Sequence, residues 1–178
     1  VPGLERIQTA RLVLRKPQAA DAEAVFARYS SDPEVTRFLS WATHRSLDQT
    51  RAFLAFSDAE WDTWPVGPYL IESREGGQLL GGTGLAFETQ SCAATGYVLA
   101  KDAWGAGYAT EAVGGVVAVA GQVGLRRLYA LCHPDHAASW RVLEKSGFTR
   151  EGLLRGHSGF PNLPGEPGDV LCYARVFE

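Results

Sequence analysis

Apolar and polar residues change period several times along the chain, and each change predicts an element. Residues 11–16, "RLVLRK", alternate as a half-buried strand does, and Ala22, Val25, Phe26 and Tyr29 then recur at helical spacing. A second helix is expected over "SLDQTRAFLAFSDAEW". Ser46 and Gln49 stand there at capping-box spacing, and Leu47, Leu54 and Trp61 recur every seven residues. Three strand-like runs follow, "GPYLIESRE", "QLLGGTGLAFE" and "AATGYVLA". The "GG" and "TQSC" between them predict an antiparallel meander.

After "WGAGYATE" a third helix carries Val113, Val116, Val117 and Ala120 on one face. Its Gly114, Gly115 and Gly121 each cost about 1 kcal/mol relative to Ala, so it must be held by close packing on the sheet. "RLYALCH" is a further strand. "HAASWRVLEKSGF" is a fourth helix ending at Gly147, where Phe148 can fold back on Leu143 in a Schellman contact. The last strands, "TREGLLRG" and "DVLCYARVF", flank "HSGFPNLPGEPG", which is longer than a hairpin turn needs and of a length that is commonly functional or mobile. The order is β-α-α-β-β-β-α-β-α-β-β. It predicts one α/β domain over residues 1–178, a mixed, mostly antiparallel sheet of about seven strands flanked by four helices.

Composition narrows the function classes. A chain of 178 residues, 46% apolar and 21% charged, suits one globular domain. No apolar run approaches the ~20 residues of a membrane span, and the opening "VPGLERIQTARL" has no basic leader before an apolar segment, so a soluble cytoplasmic protein is expected. Cys92, Cys132 and Cys172 are scattered and unpaired in spacing, which argues against a disulfide framework and a zinc site. The net charge of −3 and the dispersed basic residues exclude a nucleic-acid footprint and weakly favour a cationic partner.

The stretch "WGAGYATE" has two readings. Gly105 and Gly107 can serve a tight turn that needs positive φ. They can also leave backbone N–H groups bare at a helix start, a seat for phosphate. The dinucleotide fingerprint fails because its third glycine would fall at Thr110, and no Lys followed by Ser or Thr completes a nucleoside-triphosphate loop.

A second stretch adds to the first. "GYVLAKDAWGAGYATEA", followed about 25 residues later by "HPDHAASWRVLEKSGF", resembles the GNAT superfamily of acyl-CoA-dependent N-acyltransferases, in particular its RimJ/RimL-like branch of N-terminal acetyltransferases. The resemblance extends from "TARLVLRKPQAADAEAVF" to "DVLCYARV" and implies acetyl-CoA as co-substrate, with no metal. It implies that main-chain N–H groups of Gly105, Ala106, Gly107, Tyr108 and Ala109 wrap the CoA pyrophosphate. The helix beginning near Thr110 adds its positive end. Trp104 stands where the family commonly has Arg or Gln. Tyr97, Val98 and Leu99 would line the pantetheine arm, with the Leu99 N–H holding the oxyanion. Taken alone, these three fit an ordinary buried strand equally well.

Acyl transfer from a thioester needs a neutral amine and a proton for the departing thiolate. The resemblance assigns that proton to Ser139, near the start of the fourth helix, on the face of Val142 and Leu143. His136 replaces the branch's Asn, keeping a hydrogen bond or adding a titratable group near the thioester. Lys145 and Arg141 are candidates for the 3′-phosphate. Relatives carry a carboxylate after "GF" that this chain lacks, leaving His157 and Glu88 as candidate bases beside a water relay. Trp41, Trp61, Trp64 and Phe160 border the acceptor side.

The acceptor implied is a protein N-terminal or small-molecule amine, and a homodimer is compatible. Direct attack is expected rather than a cysteine acyl-enzyme, because Cys132 and His133 are strand neighbours that point to opposite faces. The alternatives are a non-catalytic acyl-CoA sensor, supported by His136 and the missing carboxylate, and a nucleotide-binding module.

Overall fold

A computed structural model describes residues 3–165 and 167–178. Its elements are β1 (Arg6–Gln8), β2 (Leu12–Arg15), α1 (Ala22–Val25), α2 (Leu47–Thr63), β3 (Pro68–Ser73), β4 (Leu79–Thr89), β5 (Cys92–Leu99), α3 (Tyr108–Gln122), β6 (Arg127–Cys132), α4 (Ala137–Lys145), β7 (Thr149–Ser158) and β8 (Gly168–Val176). The α1 segment runs on into a π turn over Phe26–Ser30. Among the described residues, eight strands form one sheet in the order β1-β2-β3-β4-β5-β6-β8-β7. Only the β5–β6 pair is parallel.

The strand beyond the expected seven is β1, which pairs Ile7 with Leu14. Three residues are too few to show a period. The expected capping box also does not form. Ser46 is the N-cap of α2 but makes no side-chain cap bond, and Gln49 Oε1 instead accepts the Arg45 N–H at 2.6 Å.

The α3 and α4 helices pack on one face of the sheet, where Val113, Val116, Ala120 and Leu143 join Leu12, Leu14, Ile71 and Leu128 in the main core. The other face holds a smaller core of Val25, Tyr29, Leu70, Leu79 and Ala100. The sheet is thus the middle of three layers, with each face shielded from water by helix. Close packing of the glycine-containing α3 is visible at Gly115, where a Cβ would lie 2.9 Å from Leu14 Cδ1. The α4 helix ends in the Schellman motif that its sequence predicts. Phe148 N–H donates to Leu143 O at 3.0 Å and Gly147 N–H to Glu144 O at 3.1 Å, with Gly147 at φ 80° and both apolar partners buried. No helix among the described residues is long and apolar enough to cross a membrane.

One irregularity of the sheet positions the site. Register between β5 and β6 is limited to Cys92 with Arg127, Ala93 with Leu128 and Ala94 with Tyr129. Beyond Ala94, β5 stays paired with β4 as far as Leu99, while β6 follows β8 to Cys132. The two central strands therefore part into a wedge that opens toward the starts of α3 and α4.

Candidate active site

The wedge exposes strand-edge polar groups in a predictable alternation. Ala100 N–H donates to Leu80 O at 2.8 Å, on the β4 side. Alternation along the strand then turns the N–H and C=O of Leu99 and Tyr97 toward the gap. The Leu99 carbonyl confirms the direction, because it accepts the Trp104 indole N–H at 2.9 Å rather than a β4 donor. Val98 packs on the opposite face, against the smaller core, whereas Leu99 and Tyr97 lie on the α3 side.

Residues 104–110 cross the open end. Gly105 and Gly107 adopt φ 75° and 80°, the conformation that favours glycine, and a Cβ on Gly105 would meet nothing within 4 Å. Among the described residues, the N–H groups of residues 105–110 donate to no protein acceptor, and the next, Glu111, donates to Gly107 O at 3.2 Å. A run of bare donors at the start of a fifteen-residue helix fits an anion such as a pyrophosphate. Arg11, from the β1–β2 turn, braces the loop by donating to Ala106 O at 2.9 Å.

The start of α4 closes the other side. Ser139 is half-buried, and its hydroxyl approaches the Tyr97 phenol closely enough to favour the phenolate; burial outweighs it and raises the Tyr97 pKa. His136, the N-cap residue of α4, makes no side-chain cap bond. Its ring instead stacks on Phe38 at 4.8 Å between centroids, and burial, assisted by His133, lowers its pKa. Phe38 also meets His133 at 5.0 Å, and His133 meets Phe160 edge-on at 4.8 Å. The Asp135 N–H donates to His133 Nδ1 at 3.1 Å, so a neutral His133 carries its proton on Nε2.

Several candidates lie elsewhere. Glu88 stands at the closed end of the wedge, where it accepts the Tyr129 hydroxyl. His157 is exposed on the edge strand β7 and, among the described residues, its ring meets Ser158, its Nδ1 lying 3.0 Å from that hydroxyl. Lys145 is exposed in the last turn of α4, and Arg141 lies over the Trp140 ring. Trp61 and Trp64 serve packing, with Trp61 bonded to Pro68 O and edge-on to Tyr69 and Trp64 stacked on Phe87. Trp41 packs against the smaller core, and Phe160 reaches the ring cluster. Cys132 points into the main core, and burial pushes its thiol up to about 11, whereas His133 faces the aromatic cluster. Two surface clefts, one along β1 and α3 and one beside Lys16 and Arg51, are separate from the wedge. Among the described residues, no group of three or more His, Cys, Asp or Glu is arranged to hold a metal ion.

Arg11 and Phe38 reach the site from distant segments that no local pattern marks, and Asn162, in the long loop after β7, ties that loop to Thr36, Trp41 and Thr43. A family model described as an acetyltransferase (GNAT) domain matches residues 11–149. An uncharacterized N-acetyltransferase of Bacillus subtilis, YoaA, is 34% identical over 173 residues, 96% of each chain. A GNAT-family acetyltransferase from Bacillus anthracis superposes with TM-score 0.82 at 25% identity, covering 96% of this chain and 98% of that one. RimL, a ribosomal L7/L12 α-N-protein acetyltransferase in complex with coenzyme A, shares the fold at TM-score 0.84 and 22% identity, with coverage of 97% and 98%. A model match across most of the length and a near full-length relative agree with the wedge and its glycine loop: the chain belongs to the GNAT family of acetyltransferases.

Proposed function

We propose that the protein transfers an acetyl group from acetyl-CoA to a primary amine, either the α-amine of a protein N-terminus or a small-molecule amine, by direct attack in a ternary complex. The observation that carries this reading is the three-residue pairing of β5 and β6, which leaves the Tyr97 and Leu99 edge facing a gap that ends at the bare N–H groups of residues 105–110. That arrangement offers a pseudo-strand partner for a pantetheine arm and a seat for its pyrophosphate. Acetyl-CoA supplies the activated thioester.

The chain's residues supply binding, orientation and protons. The Leu99 N–H is directed into the gap, where it can hold negative charge developing on the thioester oxygen. Val98 backs the strand from the opposite face, and the Trp104 indole fixes the Leu99 peptide. As the amine nitrogen bonds to the acetyl carbon, the carbon–sulfur bond breaks. The Ser139 hydroxyl gives its proton to the leaving sulfur and is reprotonated from the amine through water. His136, kept neutral by burial, borders the arm. Glu88 and His157 lie outside the open part of the wedge, so the free ammonium first gives one proton to solvent at the mouth lined by Phe38, His133 and Phe160, and the second proton, released as the amide forms, is the one returned to Ser139. The likeness to RimL supports an α-amine acceptor.

The test follows thiol release from acetyl-CoA against N-terminal peptides and small amines. Release that depends on an amine supports the enzyme and ranks its acceptors. Tight CoA binding without release for any acceptor would contradict turnover and favour a sensor.

A further inference from the structure

The turn between β1 and β2 touches the glycine loop through one side chain, Arg11. Its Nη1 donates to Ala106 O at 2.9 Å and its Nε to Glu111 Oε2 at 2.8 Å, while its guanidinium lies 4.6 Å from the Tyr108 ring centre. Glu111 is further held by the Thr9 hydroxyl at 2.5 Å and the Arg11 main-chain N–H at 2.6 Å.

In a trans peptide the C=O and the following N–H point in opposite directions, so drawing Ala106 O toward Arg11 aims the Gly107 N–H away from it, toward the open side of the loop. Glu111 also sits in the first turn of α3, where an unpaired carboxylate would oppose a phosphate bound at the helix start. The guanidinium neutralises it without leaving the loop.

We propose that Arg11 is a positioning residue for the pyrophosphate of CoA, setting the Ala106–Gly107 peptide plane and cancelling the Glu111 charge beside the phosphate seat. The inference rests on the reading of residues 105–110 as that seat.

The test compares Arg11→Met and Arg11→Lys with the wild-type protein. Calorimetric titration with CoA is paired with turnover of acetyl-CoA and of S-acetylpantetheine, which has no pyrophosphate. Arg11→Met is expected to weaken CoA binding about tenfold, the scale of a lost charge-assisted hydrogen bond, while kcat/KM for S-acetylpantetheine stays within about twofold. Arg11→Lys should recover part of the affinity, since an ammonium pairs with Glu111 but lacks the planar fork that also holds Ala106 O. Adding Glu111→Gln to Arg11→Met should likewise restore part of it. Unchanged CoA affinity in folded Arg11→Met, or an equal loss with both donors, would overturn the proposal. If Arg11→Met does not fold, Arg11→Lys carries the same two-donor comparison. Folded wild-type protein that binds no CoA would instead overturn the reading of the loop, and this inference with it.

Discussion

Asn162 and Thr43, 119 residues apart, are joined twice: Asn162 Oδ1 accepts the Thr43 N–H at 2.9 Å and the Thr43 hydroxyl at 3.0 Å. The Asn162 Nδ2 donates to Thr36 O at 2.8 Å and Trp41 O at 2.9 Å. One amide thus pins the β7–β8 loop to the segment between α1 and α2, and so holds Phe160 and Phe38 around His133. Asn162→Ala is expected to cost about 1–3 kcal/mol, lowering Tm by several degrees. It should raise KM for the amine more than it weakens CoA. Thermal unfolding and steady-state kinetics check both, and an unchanged amine KM would separate the loop from the acceptor mouth.

Ser139→Ala removes the hydroxyl that faces Tyr97 at the start of α4. If that hydroxyl protonates the leaving sulfur, kcat should fall by about two orders of magnitude while the CoA Kd stays within a few-fold. A rate equal to wild type would remove Ser139 from the chemistry.

Glu88→Gln and His157→Ala should each leave kcat within about twofold, since Glu88 is tied to Tyr129 at the closed end of the wedge and His157 lies on the edge strand β7. With no dedicated base, kcat/KM for an α-amine acceptor should rise with pH through the amine's own pKa, near ~8. A large loss in either variant, or a limb that moves with one of them, would place that residue in the proton path.

Cys132→Ala should retain most turnover, because a buried thiol whose pKa is pushed up to about 11 is scarcely ionised at neutral pH. Mass spectrometry of the enzyme after incubation with acetyl-CoA should show no acetyl group on Cys132. An acetylated Cys132 that amines discharge would contradict direct attack.

Arg15 is gripped by Asp21, at 2.7 and 2.8 Å, and by Glu72 at 2.7 Å. Burial works to raise the Asp21 pKa, but the Arg15 guanidinium and the Gln18 N–H outweigh it and hold the carboxyl below its ordinary range. A carboxyl depressed in the folded state contributes stability above its unfolded pKa of ~3.9 and loses it as pH falls through the folded value. Asp21→Asn should therefore be less stable at pH 7 and show a shallower acid limb in stability against pH. Denaturant titrations at several pH values read both effects.

Much of this fold is legible locally. The α3 face of Val113, Val116, Val117 and Ala120, the Schellman end at Gly147 and the antiparallel meander each depend on neighbours within a few residues. What escapes is either too short or too distant. The β1 strand has three residues and gains its place only by pairing with β2. The expected Ser46 cap gives way to a Gln49 bond with Arg45, a choice between local partners that spacing alone does not reveal. The positive-φ turn at Gly105 and Gly107 and the place of Ser139 in the first turn of α4 are legible because glycines and a helix start leave a mark in sequence. Arg11 and Phe38 reach the site across the fold, and Asn162 acts by tying its loop to the segment between α1 and α2. His157 has suitable chemistry but lies on the edge strand β7, and Glu88, on β4 beside β5, falls at the closed end of the wedge, where it meets Tyr129.

Calorimetric titration with acetyl-CoA tests most directly whether the wedge and its loop form a CoA site. Saturable one-to-one binding, displaced by CoA and indifferent to ATP and NAD, is the predicted result. No binding by the folded protein, or displacement by ATP or NAD as readily as by CoA, would contradict it.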